Sequence, residues 1–369
     1  MPKIFISAGD PSGDMHAARL MNALRAMRSD IEFVGIGGTE MTRAGLQSLI
    51  PISEISVVGF WEVAKNFNKF LALLSFCDKM LASGHFDAVI PVDYPGFNLK
   101  LAAKAKKYKI PVLWYIAPQL WAWGENRAAK LARAVDKLYV VFPFEQDYFR
   151  RFAIDAEFVG HPLLDVPEYN APFRDFSERE DRILLFPGSR RQEIAKHASL
   201  LVRSAELLHA EMPEYEIAVA KNNSIPFEAY RQFTENHPYI RIEQDAKQAM
   251  LKSKVGIVKT GTSNLESALA GMPFAMYYLT SFLTYYIGKK VINLDYISLI
   301  NILEKRLVIK EFIQQDATPE AIVRDVEDLC KNPERYREVQ EAFMHIKNQL
   351  GNCGAAKNIA KKIINLIGR

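Results

Sequence analysis

The sequence of 369 residues has few cysteines and no long hydrophobic run. Cys77, Cys330 and Cys353 lie far apart and match neither a metal-ligand nor a redox spacing, which favours a reducing compartment. No uninterrupted apolar run reaches the roughly 18 to 20 residues that a membrane-spanning helix requires. The chain starts Met1-Pro2-Lys3 without a charged region followed by a long apolar region, so no secretion signal is visible. We therefore expect a cytoplasmic protein, or one that lies on the inner face of a membrane.

A strong charge of one sign is also missing. Lys and Arg number 47 and Asp and Glu number 43, so the formal net charge is only +4. This small excess does not predict a nucleic-acid partner. What the chain does have is a 49% share of hydrophobic residues, which is typical of folded globular proteins. Its length is sufficient for two domains of ordinary size, each with its own core.

Short apolar runs that break at glycine-rich turns recur along the chain. Residues 4–8 and 33–36 have strand character, and the turn after the first run opens a segment of helical composition. Further strand candidates lie at residues 88–92, 112–116, 138–142, 157–159, 183–186, 216–219, 240–243, 255–258 and 274–278. This alternation predicts an α/β protein with two Rossmann-like, doubly wound parallel-sheet domains that face a cleft.

The boundary between the two domains is expected in a polar segment without periodicity, residues 169–181. Because the pattern of strands and helices restarts after this segment, we assign residues 1–172 to the first domain and residues 173–369 to the second. The last part of the chain, from about Pro319, has helical periodicity. The pattern leaves open whether these last helices pack back on the first domain.

The most informative stretch is residues 183–194, where a strand-like run breaks before Gly188 and passes through Ser189 into a helical segment. A strand, a tight turn and a helix start aim backbone N–H groups at an anion. Arg190 and Arg191 add guanidinium groups that can bind two phosphate oxygens at once. The stretch predicts a diphosphate site at Gly188, Ser189 and Arg190. An ordinary strand-to-helix turn with two solvated arginines is the alternative.

A second stretch repeats this arrangement after the strand candidate at residues 255–258. It reads Lys259-Thr260-Gly261-Thr262-Ser263-Asn264-Leu265-Glu266 and opens a helix. Backbone N–H groups at Gly261 and the hydroxyls of Thr262 and Ser263 would face an anion, and the Glu266 carboxylate could accept hydrogen bonds from a ribose diol. The alternative is a helix cap with Glu266 in solvent. Both stretches end predicted parallel strands, at the edge where open α/β sheets bind ligands, which favours the binding site.

Large apolar residues are concentrated in residues 57–81. One helical stripe of this segment contains Phe60, Trp61, Phe67, Phe70 and Leu74, and the lysines Lys65, Lys69 and Lys79 lie among them. A broad apolar stripe with interleaved lysines is typical of a helix that enters the membrane interface. A helix buried in a protein core looks the same in sequence, so core packing stays open as the alternative.

Several motifs of the chain are distinctive in themselves. They are Ser7-Ala8-Gly9-Asp10-Pro11-Ser12-Gly13-Asp14, Val92-Asp93-Tyr94-Pro95-Gly96-Phe97-Asn98, Ala117-Pro118-Gln119-Leu120-Trp121-Ala122-Trp123, Phe142-Pro143-Phe144-Glu145, Val159-Gly160-His161-Pro162, Phe186-Pro187-Gly188-Ser189-Arg190 and Gly261-Thr262-Ser263-Asn264-Leu265-Glu266. Together they resemble the lipid-A-disaccharide synthase family, in family order from residue 4 to about residue 315.

The resemblance implies a GT-B glycosyltransferase with two Rossmann-like domains that needs no metal ion and no cofactor. It implies an inverting transfer that joins UDP-2,3-diacylglucosamine to 2,3-diacylglucosamine 1-phosphate (lipid X). The products would be the β-1,6-linked lipid A disaccharide 1-phosphate and UDP. It further implies a cytoplasmic enzyme that is peripherally associated with the inner face of the cytoplasmic membrane.

The resemblance also implies roles for single residues. Asp93 matches the aspartate on which the family's activity depends and is our candidate general base; capping of the following turn is the alternative. From their place on the first loop and helix, Asp10 and His16 are expected to position the acceptor or to assist proton removal; for His16, hydrogen bonding or packing is the alternative. Asn301 matches a family position near the nucleotide and joins the UDP-sugar site. Asp10 replaces the usual glutamate, and Gly96 stands where many members carry a second acid.

Two alternatives to this function stay open. Another GT-B enzyme, such as a UDP-N-acetylglucosamine 2-epimerase, would keep the nucleotide turns without requiring the apolar segment at residues 57–81. A non-catalytic lipid- or nucleotide-binding protein on the same scaffold is the second alternative, since a fold alone does not establish an activity. The presence of both Asp93 and Arg190 argues against it.

Overall fold

The computed structural model describes residues 1–51, 67–280 and 294–367 of the chain. The chain forms two compact units. The first consists of Met1–Val166 and Leu350–Arg369, and the second of Pro167–Gln349. The polar segment in which we expected the domain boundary lies within the second unit, and the end of the chain returns to the first.

Among the described residues, the first unit contains a sheet of seven parallel strands. The strands are β1 (Lys3–Ala8), β2 (Glu32–Gly37), β3 (Gln47–Pro51), β4 (Ala88–Val92), β5 (Leu113–Tyr115), β6 (Lys137–Val140) and β7 (Ala156–Phe158). Their order in the sheet is β3-β2-β1-β4-β5-β6-β7. The order reverses between β1 and β4, and in open α/β sheets such a switch point is where ligands bind.

Helices connect these strands. They are α1 (Pro11–Met27), α2 (Thr39–Arg43), α3 (Phe67–Ser83), α4 (Pro95–Lys107), α5 (Ala128–Ala134) and α6 (Pro143–Arg150). Helix α1 begins directly after β1 because Asp10 caps it: Oδ1 accepts the Gly13 N–H at 2.6 Å, and Pro11 occupies the first helical position. The cap fixes the backbone at one side of the switch point.

The second unit contains a parallel sheet of six strands in its described residues. The strands are β8 (Glu180–Phe186), β9 (Glu216–Ala220), β10 (Ile240–Glu243), β11 (Ser253–Lys259), β12 (Phe274–Tyr278) and β13 (Glu311–Ile313), in the order β10-β9-β8-β11-β12-β13. This order repeats that of the first sheet, with the switch point between β8 and β11.

The helices of the second unit follow its strands. They are α7 (Arg191–Glu211), α8 (Arg231–Thr234), α9 (Ala246–Lys252), α10 (Thr262–Leu269), α11 (Leu299–Glu304), α12 (Pro319–Lys331) and α13 (Pro333–Gln349). Helices α7 and α10 begin at the two sides of the switch point. Short 3₁₀ helices of the chain lie at Glu125–Arg127, Pro162–Asp165, Pro167–Asn170, Phe176–Glu178, Phe227–Tyr230 and Gln314–Asp316.

The last helix, α14 (Ala355–Ile367), packs against α1 in the first unit. The Asp165 carboxylate holds its start. Oδ1 accepts the N–H groups of Gly354 and Ala355, the latter at 3.1 Å, and Oδ2 accepts that of Ala356 at 3.2 Å. A carboxylate at this place satisfies N–H groups that have no partner within the helix and interacts favourably with the helix dipole.

Candidate active site

The first group of candidate residues lies where β4 ends. Asp93 directly follows β4, and both Asp93 (φ 45°) and Tyr94 (φ 48°) have left-handed backbone conformations. Such conformations cost a non-glycine residue about 1 kcal/mol or more and persist only where the surroundings hold them. Asn98 contributes to that hold, because its Nδ2 donates to the carbonyl groups of Asp93 (2.7 Å) and Val92 (3.2 Å). Strained residues of this kind cluster at functional sites, which supports the prediction for Asp93.

Asp10 and Asp93 belong to the same switch point. Asp10 follows β1, Asp93 follows β4, and the two strands are neighbours whose last paired residues are Ala8 and Val92. Burial, and after it the negative charge of Asp10, raise the pKa of Asp93 from 3.8 to about 6. A carboxyl group with a pKa close to the working pH, at the carboxyl edge of a parallel sheet, fits the requirements of a general base.

His16 lies on α1 and is buried. Its Nδ1 has no hydrogen-bond partner in the part of the chain that the structure describes. Burial, followed by the charge of Arg19, lowers the pKa of His16 to about 4, so its ring is neutral at pH 7. Asp14, on the same helix, has a structural role: its carboxylate accepts three backbone N–H groups at the start of α2.

A buried carboxyl group holds the segment that contains the motif of residues 117–123. Glu145 on α6 accepts the Trp121 indole N–H at 2.9 Å and the backbone N–H groups of Val141 (3.2 Å) and Phe142 (3.1 Å). Burial raises the pKa of Glu145 to about 7 in spite of these hydrogen bonds, and the charge of Asp93 adds to the rise. Glu145 therefore positions Trp121 within the motif of residues 117–123.

In the second unit, the first loop predicted to bind a diphosphate connects β8 to α7. Gly188 has a φ of 124°, which disfavours any residue with a side chain. Ser189 and Arg190 follow it and are exposed. The Ser189 N–H donates to Glu193 Oε2 at 2.9 Å, and Arg190 Nη1 donates to Glu193 Oε1 at 3.0 Å. The structure thus brings the three predicted residues together and adds a carboxylate to them.

Two buried side chains bind the backbone at the start of this loop. The Tyr277 hydroxyl donates to the Phe186 carbonyl oxygen at 2.8 Å, and His197 Nδ1 lies 2.6 Å from the Pro187 carbonyl oxygen. Because both carbonyl groups are engaged, the peptide groups of the loop have a defined orientation. The N–H of Ser189, which follows Phe186 and Pro187 in this loop, donates to Glu193, so an acceptor with a negative charge already lies at this helix start.

The second loop connects β11 to α10 at the other side of the switch point. Gly261 has a φ of 143°, and a Cβ there would meet no atom within 4 Å, so the residue is glycine for its backbone conformation and not for lack of space. The Gly261 N–H donates to Asn264 Oδ1 at 2.8 Å. Thr262 is exposed and Ser263 partly buried. The two predicted loops therefore follow the ends of neighbouring strands, β8 and β11.

Glu266, predicted to contact a ribose, lies on α10 and is partly buried. Its Oε1 accepts the Tyr169 hydroxyl at 3.3 Å. Burial raises the pKa of the carboxyl group, and the hydrogen bond from Tyr169 opposes this rise. Contact of Glu266 with a nucleotide stays a prediction.

Asn301 is fully buried, and its amide is engaged within the unit. Nδ2 donates to Ile309 O (2.9 Å) and Glu311 Oε1 (2.8 Å), and Oδ1 accepts the N–H groups of Val308 (2.8 Å) and Ile309 (3.1 Å). These four bonds use the two donors and two lone pairs of the amide. Asn301 therefore holds the segment before β13, and a direct contact with a nucleotide would require these bonds to be exchanged.

Of the five residues predicted to contact lipid, the structure describes the side chains of two. Phe60, Trp61 and the side chain of Phe67 lie outside the described residues. Phe70 is partly buried against Phe97, with ring centroids 5.4 Å apart. Leu74 is buried in the core, as the alternative interpretation of this segment expects. Two other apolar residues of α3 are exposed, Leu71 and Phe76, each at 42%.

No helix in the described ranges combines the length and the apolar character that crossing a membrane would demand.

Sequence reasoning did not single out Glu193, Lys259 or Asn98. Lys259 Nζ lies 3.2 Å from Glu193 Oε1, although the two residues are 66 positions apart in sequence. The local signal for Glu193 was its place three residues after Arg190 on a helix, where an ion pair forms across one turn. The signal for Lys259 was its place as the last residue of a strand next to β8, and this depends on the strand order.

The fold defines the class to which the chain belongs. The chain is similar in structure to Staphylococcus aureus MnaA in a co-structure with UDP (TM-score 0.69, 13% identity, covering 100% of this chain and 98% of that one). It is also similar to the calicheamicin glycosyltransferase CalG4 (TM-score 0.63, 13% identity, 100% and 99%) and to Acinetobacter baumannii MurG (TM-score 0.58, 15% identity, 99% and 100%). With its two parallel α/β sheets, the chain has the GT-B fold of glycosyltransferases.

The family follows from the sequence over its full length. Residues 4–363 match the family model of lipid-A-disaccharide synthetase. The chain is 34% identical to the lipid-A-disaccharide synthase of Syntrophus aciditrophicus, covering 99% of this chain and 97% of that one, and 33% identical to that of Coxiella burnetii, covering 99% and 98%. The chain belongs to the lipid-A-disaccharide synthase family and is a glycosyltransferase that forms the lipid A disaccharide.

Proposed function

We propose that the enzyme joins UDP-2,3-diacylglucosamine to 2,3-diacylglucosamine 1-phosphate with inversion at the anomeric carbon. The 6-hydroxyl group of the acceptor attacks the anomeric carbon, the bond from that carbon to the diphosphate breaks, and the hydroxyl proton passes to a base. The products are the β-1,6-linked disaccharide 1-phosphate and UDP. No cofactor takes part in this scheme.

The observation that carries this proposal is the chemistry at the two switch points. The carboxylates of Asp10 and Asp93 flank β1 and β4. The N–H groups and cations of residues 188–190 and Lys259 flank β8 and β11. Transfer from a UDP-sugar needs both a base for the acceptor and a cationic site for the departing diphosphate.

Asp93 is the proposed general base. Its pKa of about 6 leaves it mostly ionised at pH 7 to 8 while it is still more basic than an ordinary aspartate. His16 has a pKa of about 4 and is therefore the weaker base, so we assign it, with Asp10, to positioning of the acceptor.

Arg190, Lys259 and the backbone N–H groups of the two loops are proposed to offset the charge that develops on UDP. Thr262 and Ser263 would bind the phosphates through their hydroxyl groups, and Glu266 the ribose. Cationic side chains and helix N-termini can stabilise such a leaving group without a metal ion. The scheme therefore predicts full activity in EDTA, and activity restored only by Mg²⁺ would contradict it.

The lipid part of the substrates is assigned to the first unit, Met1–Val166 and Leu350–Arg369, and the UDP-sugar to the second, Pro167–Gln349. Exposed Leu71 and Phe76 on α3, with exposed Lys69 and Lys79 beside them, support a face that contacts the acyl chains or the membrane surface. We propose that the enzyme works in the cytoplasm, peripherally bound to the inner membrane.

A radiolabel transfer assay in detergent tests the proposed reaction. Labelled UDP-2,3-diacylglucosamine and unlabelled 2,3-diacylglucosamine 1-phosphate should give a labelled disaccharide, and NMR of the product should show a β linkage. Consumption of UDP-N-acetylglucosamine without transfer would instead support a 2-epimerase. An α linkage would contradict inversion and leave the transfer itself intact.

A further inference from the structure

Three of the groups that are proposed to bind the diphosphate are engaged by one carboxylate. Glu193 Oε2 accepts the Ser189 N–H at 2.9 Å, and Oε1 pairs with Arg190 Nη1 at 3.0 Å and with Lys259 Nζ at 3.2 Å. A negative charge at this position opposes the binding of another anion, so it calls for an explanation beyond helix capping.

The contacts of Glu193 differ from those of an ordinary cap. In a capping box, the third residue of a helix accepts the N–H of the cap residue itself, which here is Arg190. Glu193 instead accepts the N–H of Ser189, one residue earlier in the loop. It also reaches Lys259 at the end of the neighbouring strand β11. The carboxylate therefore bridges the two sides of the switch point.

The loop is shaped around this carboxylate. A Cβ on Gly188 would lie 2.6 Å from Glu193 Oε2 and 2.7 Å from Glu193 Cβ, so only glycine leaves room for the glutamate side chain. The side chains of Glu193 and Lys259 are 18% and 19% exposed, whereas Arg190 is 56% exposed. The pair of Glu193 and Lys259 is thus largely removed from solvent, where charges interact more strongly.

The local charge remains positive even with Glu193 ionised. Burial alone would raise the pKa of Glu193, but the charge of Lys259, the Ser189 N–H and the charge of Arg190 outweigh burial and hold the pKa below its ordinary value. Burial and the charge of Lys259 lower the pKa of Lys196, one helical turn further on. Two cations, Arg190 and Lys259, thus pair with one carboxylate, and a diphosphate with two or more negative charges would neutralise them better.

We propose that Glu193 is an internal anion that occupies the cationic centre for the diphosphate of the UDP-sugar and is exchanged for it on binding. This inference rests on the proposed function. In the exchange, the Ser189 N–H, Arg190 and Lys259 pass from the carboxylate to phosphate oxygens. Glu193 keeps the two cations in position before the donor binds, and it lowers the affinity for UDP, which favours release of the product.

The affinity for UDP of the Glu193→Gln variant tests this exchange. Glutamine keeps the shape of the side chain and can still accept the Ser189 N–H, but it no longer competes as an anion for Arg190 and Lys259. We expect UDP to bind about tenfold more tightly than to the wild type, because one like charge is removed from the site. Uridine, which has no phosphate, should bind with unchanged affinity.

The matched control is Glu206→Gln. Glu206 lies on the same helix and pairs with Arg203 three residues away at 2.8 Å, but this pair is exposed and far from the loop. The Glu206→Gln variant changes the net charge by the same amount as Glu193→Gln and should leave the affinities for both UDP and uridine unchanged.

The outcomes separate this inference from the proposed function. If the wild type does not bind UDP at all, the proposed function fails. If the wild type binds UDP and the Glu193→Gln variant binds it equally or more weakly, the proposed function stands and the exchange is wrong. A crystal structure of the wild type with bound UDP also tests whether Glu193 is exchanged, and it needs no variant. Glu193 still bonded to the Ser189 N–H and to Lys259 beside bound UDP would contradict the exchange.

Discussion

Asp93 combines three features that are unfavourable for stability in a single residue. Its backbone is left-handed, its carboxyl group is largely buried, and Asp10 adds a like charge nearby. None of these features helps the chain to fold. All of them adjust the position and the basicity of one carboxylate, as expected if function has shaped this residue.

The raised pKa predicts the pH dependence of catalysis. A general base must be ionised, so kcat/KM should rise with pH through an acid limb at about pH 6, the pKa of Asp93. Asp10→Asn removes the negative charge that contributes to the raised pKa of Asp93, while burial of Asp93 still raises it. The acid limb should therefore move to lower pH but stay above pH 3.8. Measured pH–rate profiles of both proteins check this. An acid limb that stays in place, or moves upwards, would show that Asp10 does not act on Asp93.

The same pKa predicts a cost in stability. Below pH 3.8 the carboxyl group of Asp93 is protonated in both the folded and the unfolded chain. Between pH 3.8 and about 6 it ionises only in the unfolded chain. Unfolding therefore becomes easier as the pH rises through this range. Above that range the cost is constant. Asp93→Asn removes it and should stabilise the first unit by about 1 to 3 kcal/mol at pH 7.5 but hardly at pH 3.5. Urea unfolding at the two pH values measures this difference, and equal effects at both would contradict the assigned pKa.

Tryptophan fluorescence makes such measurements specific for one unit. All four tryptophans, Trp61, Trp114, Trp121 and Trp123, lie between residues 1 and 166 and thus in the first unit. Unfolding of that unit can therefore be followed separately, which matters because a chain of two units need not unfold in one step.

At the scale of single residues, the sequence predicted positions that depend on local backbone geometry. Gly188 and Gly261 could be singled out because a strand that turns directly into a helix needs an unusual φ there. The contact between Glu193 and Lys259 could not be predicted, since it joins residues 66 positions apart. The bond between Asn98 and Ser7, 91 positions away, could not be predicted for the same reason, whereas the bonds of Asn98 to Asp93 and Val92 are local.

Among the helices, α14 begins at a carboxylate that is distant in sequence, so no local pattern predicts this contact. Asp165 accepts three N–H groups at its start. Asp165→Ala should therefore destabilise the first unit by about 2 kcal/mol, because charged hydrogen bonds to a helix N-terminus are lost. The readout is the urea midpoint of tryptophan fluorescence. Asp147→Ala, which removes only an exposed ion pair with Arg150 on α6, is the control and should change stability by less than about 0.5 kcal/mol. Equal effects of the two variants would contradict the anchoring role.

Helix α3 has exposed and buried apolar residues, so variants of this one helix can test membrane contact and core packing separately. Replacing the exposed Leu71 and Phe76 by serine should weaken sedimentation with anionic vesicles about tenfold or more and leave stability nearly unchanged, because both are 42% exposed. Leu74→Ser should do the opposite: it creates a polar group in the core and costs about 2 to 5 kcal/mol of stability. Unchanged vesicle binding by the double variant would mean that α3 does not contact the membrane through these residues.

The strands illustrate what sequence patterns can and cannot predict. Strands in the interior of the sheets, such as β4 (Ala88–Val92) and β12 (Phe274–Tyr278), were predicted with their bounds because both faces are buried and the run is apolar throughout. Of the four edge strands in the described part of the chain, β3 and β13 were missed, whereas the candidates at residues 157–159 and 240–243 match β7 and β10. The sequences of the two missed strands, Gln-Ser-Leu-Ile-Pro in β3 and Glu-Phe-Ile in β13, begin with polar residues and contain no long apolar run. An edge strand does not need such a run.

At the scale of the whole molecule, the same strand order occurs in both units and places two different chemistries at equivalent positions. The first switch point carries carboxylates and the second carries cations and N–H groups. The repeated strand, turn and helix predicted two Rossmann-like parallel-sheet domains, and the family resemblance implied the GT-B fold. The strand topology and the fold comparison confirm both. The family was predicted from the motifs and is confirmed by the match over residues 4–363.

The central claim is that Asp93 removes the acceptor proton in a transfer that needs no metal ion. The most direct test is the disaccharide-forming rate in EDTA of the wild type and of Asp93→Asn, which keeps the size of the side chain and suits a left-handed backbone. We predict product from the wild type, a rate lower by about 10² to 10⁴ for the variant, and equal affinity for UDP in both. A folded Asp93→Asn variant that forms the disaccharide at close to the wild-type rate would contradict the claim.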